Sequence, residues 1–491
     1  MIICPHPGLA PQRRPGVLYL ASIAGLIWAV LPGRGLGARE IPVSNSAELE
    51  QALAGAKPGD TVLLADGKYA DLRISFRGMG EEGRPITLRA LHPGHATLTG
   101  MSSVEMRGHW LVLDGLRFDR TSTTPITVRE SQNCRVTGCS ILRCNPPDKS
   151  RLHWIRIAGA ECRANRIDHC YTEGKLTDGV VLTVEGDDGK MPLDTRIDHN
   201  HFKEVTRAVQ NGMETIRIGT SQFGQLDARA VVEYNLFEQC SGDAEIISSK
   251  SCGNTYRYNT FRDCDGGVVM RHGHRSLVEG NYFFGNLHPR TAGIRVHGSD
   301  HRVLNNYLEG LGQFSLALPA GQSKFVPSGH EPTLRCVVAY NTVVEPLGPA
   351  LVLGEGRSKL LDTGPNETLL ANNLLAASRG TLIQLPFASD TRWVGNLVFA
   401  QGEAKVGEIP AAGARVVDPR LERAGDGLWR PHETSPVIGA AVSQLFAVPD
   451  DMEGQPRGPR ADVGADQRST GPVLRRPLRS GDVGPAWLPL P

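Results

Sequence analysis

The chain has 491 residues, 56 of them glycine, only 6% aromatic side chains and a formal net charge of +1. That length suits two or three average domains or one elongated solenoid, while the sparse aromatics and abundant glycine argue against a helical bundle. The balanced charge gives no sign of a nucleic-acid partner, yet excludes neither an acidic nor a neutral ligand, because a basic cleft can sit within a balanced total.

The N-terminus carries Arg13 and Arg14, then an apolar run from Val17 to Leu31, then small residues ending at Gly37-Ala38. The run is short for a membrane span and suits the apolar core of a secretory signal. Residues 1–38 are therefore expected to be removed, leaving an exported protein, periplasmic or secreted, with no stable membrane span; an uncleaved anchor is the alternative. Of ten cysteines, Cys4 leaves with the signal and nine remain. An odd number argues against a complete disulfide framework, and Cys240 and Cys264 occupy equivalent repeat positions where a small inward side chain is the simplest role.

Residues 46–57 combine a Ser start with helical periodicity, followed by Pro58-Gly59-Asp60, and predict a short capping helix ahead of a first strand at TVLLADGKY. From Asn200 onward a pattern of apolar residues, a turn residue and Asn recurs at 235, 259, 281, 306, 341, 373 and 396, with spacings of 35, 24, 22, 25, 35, 32 and 23 residues. Cys139 and Cys170 hold the Asn position in earlier copies. Units of this length, rich in β-formers and broken by Gly, Asn and Asp, match one coil of a parallel β-helix, the longer ones carrying loop insertions. Leucine-rich repeats would show a regular Leu framework, and propeller blades would be longer. The recurring Asn is expected at a left-handed turn with its amide bonded to the same group one coil away. A single solenoid is predicted over 39–466, ending in a strand and turn at 450–466, with a Pro/Gly/Arg-rich disordered tail at 467–491.

One region breaks the hydrophobic rule. NGMETIRIGT brings Asn211, Glu214 and Arg217 together, GDAEIISSKS adds Asp243, Glu245 and Lys250, and MRHG adds Arg271 and His272. Lys250 and Arg271 lie twenty-one residues apart, about one coil, so they can face one cleft. Asp243 and Glu245 are two apart and in a strand share a face, which Ile247 would also share. Two carboxylates and an amide suit a hard cation such as Ca²⁺, with Mg²⁺ or Mn²⁺ as alternatives and a salt link to Lys250 or Arg271 as the plain structural reading. Base, acid and cation site together are what cleavage of a uronic-acid polymer by β-elimination requires. Lys250 is the candidate base and Arg271 the leaving-group partner, while His272 is expected to point to the other face.

The order NGxExIRIG, EIISSKS, MRHG and GIRV at 293–296, with PGDTVLLADGKY and GRPITLRALHPGHATLTG near the start, resembles polysaccharide lyase family 6, which holds alginate lyases and the dermatan-cleaving chondroitinase B type. The resemblance covers residues 40–466. It implies an all-β, single-stranded, right-handed parallel β-helix, a Ca²⁺ site at Asn211, Asp243 and Glu245, Lys250 as base and Arg271 as acid. Arg295, with Glu214 and His272, then belongs to substrate binding. Many relatives have Glu where Asp243 stands, so this metal site is expected to be looser. The implied activity is lysis of an acidic polysaccharide, alginate before dermatan or chondroitin sulfate. A glycoside hydrolase would need a pair of catalytic carboxylates instead, and a non-catalytic carbohydrate-binding solenoid would not need Lys250 and Arg271 together.

Overall fold

The computed structural model describes residues 38–387, 390–410, 413–442 and 448–488. The segment read as a signal, Ala38 apart, lies outside the described residues. No helix among them is long and apolar enough to cross a membrane.

From Ala38 onward the chain winds into a right-handed parallel β-helix. Three parallel sheets of 14, 13 and 14 strands run its length, and consecutive strands of one sheet are one coil apart in sequence. Alternation along each short strand puts every second side chain inside, and parallel register stacks like on like. In the 13-stranded sheet, Val104, Ile126, Ile155, Leu182, Ile216, Ile247, Val268, Ile294 and Leu316 form one unbroken aliphatic column in the core. Each such burial contributes about 1.5–3 kcal/mol. Phe202, Phe237, Phe261 and Phe283 stack in the same way, with centroids 5.1, 4.6 and 4.5 Å apart. Nine cysteines are free and buried, Cys240 and Cys264 among them.

The recurring asparagines form a buried ladder. Asn235 donates from its backbone N–H and its amide to Asn259 Oδ1 (3.0 and 3.1 Å), and Asn259 does the same to Asn281 (3.0 and 3.0 Å). The same bonds continue to Asn396. Cys170, in the Asn position, donates its backbone N–H to Asn200 Oδ1 at 2.9 Å. The left-handed residue, however, is the one before the ladder: His199, Tyr234, Tyr258, Gly280, Asn305, Tyr340, Asn372 and Gly395 all have positive φ. The ladder Asn is selected for its paired donors and acceptor, and its neighbour absorbs the turn.

The ends differ from expectation. A strand, Glu40–Val43, precedes the capping helix, which runs Ser46–Gly55 with Asn45 as its N-cap and buries Leu49 and Leu53 over the first coil. At the other end, 450–466 forms turns with one isolated bridge, Asp450 to Pro456, in place of a last strand; the long sheets end earlier, and an antiparallel hairpin pairs Leu421–Arg423 with Trp429–Pro431. Residues 467–488 are an ordered strap. Leu478 and Val483 pack on Leu236, Leu478 N–H donates to Thr260 Oγ1 (2.8 Å), Gly484 N–H to His199 O (2.8 Å) and the Trp487 indole to Gly138 O (2.8 Å). Proline and glycine content suggested disorder; the widely spaced apolar anchors hold the strap down.

Two tests follow from these contacts. Asn259→Ala leaves the Asn235 N–H and the Val232 carbonyl without their partner, and about 1–3 kcal/mol is lost for each buried group left unmade, read as a lower chemical-denaturation midpoint. Lys175 is a lysine at a core position, with Nζ donating to Leu152 O (2.9 Å) and lying 5.4 Å over the Trp154 ring. Burial pushes its pKa from 10.5 down to about 7. The unfolded chain therefore holds more protons between about pH 7 and 10.5, so stability should rise with pH across that window, and Lys175→Met should flatten the rise.

Candidate functional site

The outward face of the 13-stranded sheet carries a column in register through Arg156, Thr183, Arg217, Ser248, Val269 and Arg295. Polar residues here cost the core nothing, because the strand alternation sends their neighbours inward. The three arginines come from WIRIAG, TIRIG and GIRV, the same short motif on three coils.

Two β-bulges shape the centre of this face. The first lies between Glu245 and Ile247 in the Glu245–Lys250 strand. Ile247 enters the core against Ile216 and Val268, while Glu245 reaches the outer face and accepts a bond from Ser248 Oγ. The expectation that Glu245 and Ile247 share a face is thus corrected: the extra residue, Ile246, rotates Glu245 outward. The second bulge makes Arg271 the extra residue of the Gly267–His272 strand, so that Lys250 pairs in register with His272 and Arg271 swings over the cleft.

Lys250 Nζ lies 3.3 Å from Glu214 Oε1 and 3.9 Å from Glu245 Oε2, and Arg271 Nε is 3.9 Å from Glu245 Oε1. Lys250 and Arg271 keep 15% and 17% of their side-chain surface exposed, enough for a ligand to reach, whereas Glu214 is sealed at 1%. Burial raises the Glu245 pKa, with Glu214 and Asp243 adding to it and Lys250 opposing. Burial lowers that of Arg271, against the pull of Glu245. Asp243 precedes the strand. Its carboxylate accepts the Gly212 N–H at 2.9 Å and the Glu245 N–H at 3.1 Å, and Gly212 can present that N–H because its φ of 106° suits glycine. Asn211, beside it, is exposed.

Arg295 stacks on Phe314 at 4.6 Å and reaches Glu355 at 3.4 Å. His272 is buried behind the face, its Nε2 3.0 Å from Ser221 Oγ, and burial pushes its pKa down to about 3. It braces the Lys250–Arg271 strand pair from behind. Glu185 was not foreseen from the sequence. It sits between Arg156 (2.7 Å) and Arg217 (2.9 Å), with His153 at 3.8 Å. Against burial, which acts the other way, Arg156 and Arg217 hold its carboxyl below the ordinary value. The repeated IRI/IRV triplet was the signal that could have placed Arg156 beside Arg217.

Oxygen donors only, from Asn211, Asp243 and Glu245, with the Glu214 Oε2 atom buried, without a hydrogen bond among the described residues and 3.9 Å from Arg217 Nη1, fit a hard cation. A tighter acidic group exists elsewhere: Asp451, Glu453 and Asp466 bring ligand atoms within 4.8 Å of one another. There the Arg430 guanidinium already supplies the cation, 3.0 Å from Asp466 and 3.2 Å from Glu453.

Residues 43–408 match the family model described as chondroitinase B. The chain belongs to polysaccharide lyase family 6, the chondroitinase B family. Among solved family 6 structures, a mannuronic-acid-specific lyase from human gut microbiota is 31% identical, with TM-score 0.68 over 77% of this chain and 91% of that one. The alginate lyase AlyGC is 29% identical, with TM-score 0.78 over 92% of this chain; the match spans 59% of AlyGC's length. A family 6 enzyme from Pseudopedobacter saltans, 22% identical with TM-score 0.68, shares the fold. No curated protein matches the chain.

Arg430→Met should lower stability by about 3–5 kcal/mol, since it strands buried carboxylates without their counter-charge, and the loss is measurable by chemical denaturation. It should leave the Lys250–Arg271 face unchanged.

Proposed function

We propose that this family 6 chain cleaves an acidic, uronate-containing polysaccharide, alginate before dermatan or chondroitin sulfate, by β-elimination at the Lys250–Arg271 cleft. The observation that carries the reading is the pair of bulges that sets Lys250, Arg271 and Glu245 within 4 Å contacts on one accessible face. The alginate preference rests on one relative described as an alginate lyase and another described as specific for mannuronic acid.

In this reading Lys250 Nζ takes the C5 proton of the uronate. The electron pair forms the C4–C5 double bond, the C4–oxygen bond breaks, and the leaving oxygen receives a proton from a water that Arg271 polarises. Arg271 stays cationic and supports the oxygen as charge develops, the role for which a buried guanidinium is well suited. Arg295 anchors a sugar carboxylate, and Glu214, sealed below Lys250, accepts a hydrogen bond from Nζ (3.3 Å) that orients the Lys250 amine, which is neutral before it takes the proton and an ammonium after. Ca²⁺ belongs to the same proposal: Asn211, Asp243 and Glu245 would hold it, where it would neutralise the substrate carboxylate and stabilise enolate-like charge. Asp243 accepts backbone N–H groups with both oxygens and Glu245 accepts from Ser248 Oγ, so a bound cation would draw on the lone pairs those bonds leave. The N-terminal apolar segment makes export part of the proposal, bringing the enzyme to an extracellular polymer.

The test is ultraviolet absorbance of the unsaturated product with alginate and with dermatan sulfate, each with Ca²⁺ and with chelator. Wild-type protein should give rising absorbance on alginate that chelator suppresses, and Lys250→Ala should lose about 10²–10⁴-fold in rate. Folded protein that gives no product on either polymer would overturn the reading.

A further inference from the structure

The two longest late repeats, between Asn306 and Asn341 and between Asn341 and Asn373, place their extra residues at the corner that follows the cleft-bearing sheet. The resulting loops, 319–333 and 354–365, are bound to each other. Gly321 and Thr363 exchange backbone hydrogen bonds (2.8 and 3.0 Å), and the Ser323 N–H and Oγ both donate to Asp362 (2.8 Å each). They are also bound to the cleft: Arg271 donates to Gly329 O at 2.9 Å, and Glu355 meets Arg295 at 3.4 Å.

Their charges are unevenly spent. Glu355 is engaged by Arg295, Asp362 by Ser323, and Glu331 by Gln225 at 2.7 Å with His274 at 3.5 Å. Lys324, Arg357 and Lys359 are exposed and have no acidic partner among the described residues, Arg357 lying 4.3 Å over the Phe387 ring. Beside them Phe325 is 60%, Val326 45% and Leu360 67% exposed. A soluble protein rarely gathers large apolar side chains and unpaired cations on joined loops without a ligand to cover them. Unpaired cations attract a polyanion, and flat apolar side chains suit the C–H faces of sugar rings.

We propose that this two-loop platform is an extended binding site for the acidic polysaccharide, holding sugar units beyond those at Lys250 and Arg271 on the side of the C-terminal coils. Lys324, Arg357 and Lys359 take uronate carboxylates there and Phe325 stacks on a ring. The proposal rests on the cleft being the site of polymer cleavage. It makes chain length a determinant: polymer gains contacts that a trisaccharide confined to the cleft does not.

The test uses the full chain and a triple variant, Lys324→Ser, Arg357→Ser and Lys359→Ser, with Phe325→Ala as a separate variant. All three positions are solvent-exposed, so the thermal midpoint should stay with wild type. Binding of sodium alginate polymer and of an alginate trisaccharide is measured by calorimetry across a salt series, each variant also carrying Lys250→Ala to prevent turnover. The triple variant should bind polymer at least about tenfold more weakly at low ionic strength and with a shallower salt dependence, trisaccharide affinity staying unchanged; Phe325→Ala should weaken polymer alone. Unchanged polymer affinity and salt slope would overturn the platform, as would an equal loss on the trisaccharide. Polymer binding that depends on the platform, together with no unsaturated product from the protein that keeps Lys250, would overturn the cleavage reading instead.

Discussion

Everything at the cleft depends on the register between two neighbouring strands, Glu245–Lys250 and Gly267–His272. A one-residue slip in a β-strand sends each side chain to the opposite face. Here two slips are built in as bulges, one turning Glu245 out of the core and one making Arg271 the extra residue, which reaches Glu245. The remaining register is fixed by the aliphatic column on the inner face, where Ile216, Ile247, Val268 and Ile294 admit one alignment, and by the asparagine ladder at the turn. The core thus sets the geometry of a site that it never touches.

The site is a concentration of opposite charges on a sheet face rather than a closed cavity. Arg156, Glu185 and Arg217 continue the same pattern toward the N-terminal coils, and Arg295 and the two joined loops continue it toward the C-terminal coils. Under the proposed function, a linear polyuronate would lie along this face with its carboxylates meeting these cations. Lys250 and Arg271, with Glu214 sealed beneath Lys250, stand at the centre of this face.

Much of the fold was legible in the sequence because a solenoid repeats its own evidence. Asn200, Asn235, Asn259 and their successors mark successive coils, and their spacing together with the β-rich, turn-broken make-up of each unit pointed to the architecture. The ladder's turn was misplaced by one residue, since sequence reasoning credits Asn with left-handed backbone while Tyr234 and Tyr258 adopt it here. The residues of the cleft were legible from their motifs, yet the faces they occupy were not. Simple alternation put Glu245 with Ile247, and a bulge is not encoded in periodicity. His272 lies buried with its Nε2 3.0 Å from Ser221 Oγ. The C-terminal strap was misread because composition averages over Leu478, Val483 and Trp487, three separated anchors that suffice to order it.

The most direct test of the account is the fate of solvent oxygen during cleavage. Alginate is digested in heavy-oxygen water and the products are weighed by mass spectrometry immediately, before exchange at the reducing end. Elimination breaks the C4–oxygen bond without adding water, so the account predicts products without the label, each new non-reducing end lighter by one water. Products that carry one heavy oxygen per bond broken would identify hydrolysis and contradict the assignment of Lys250 and Arg271.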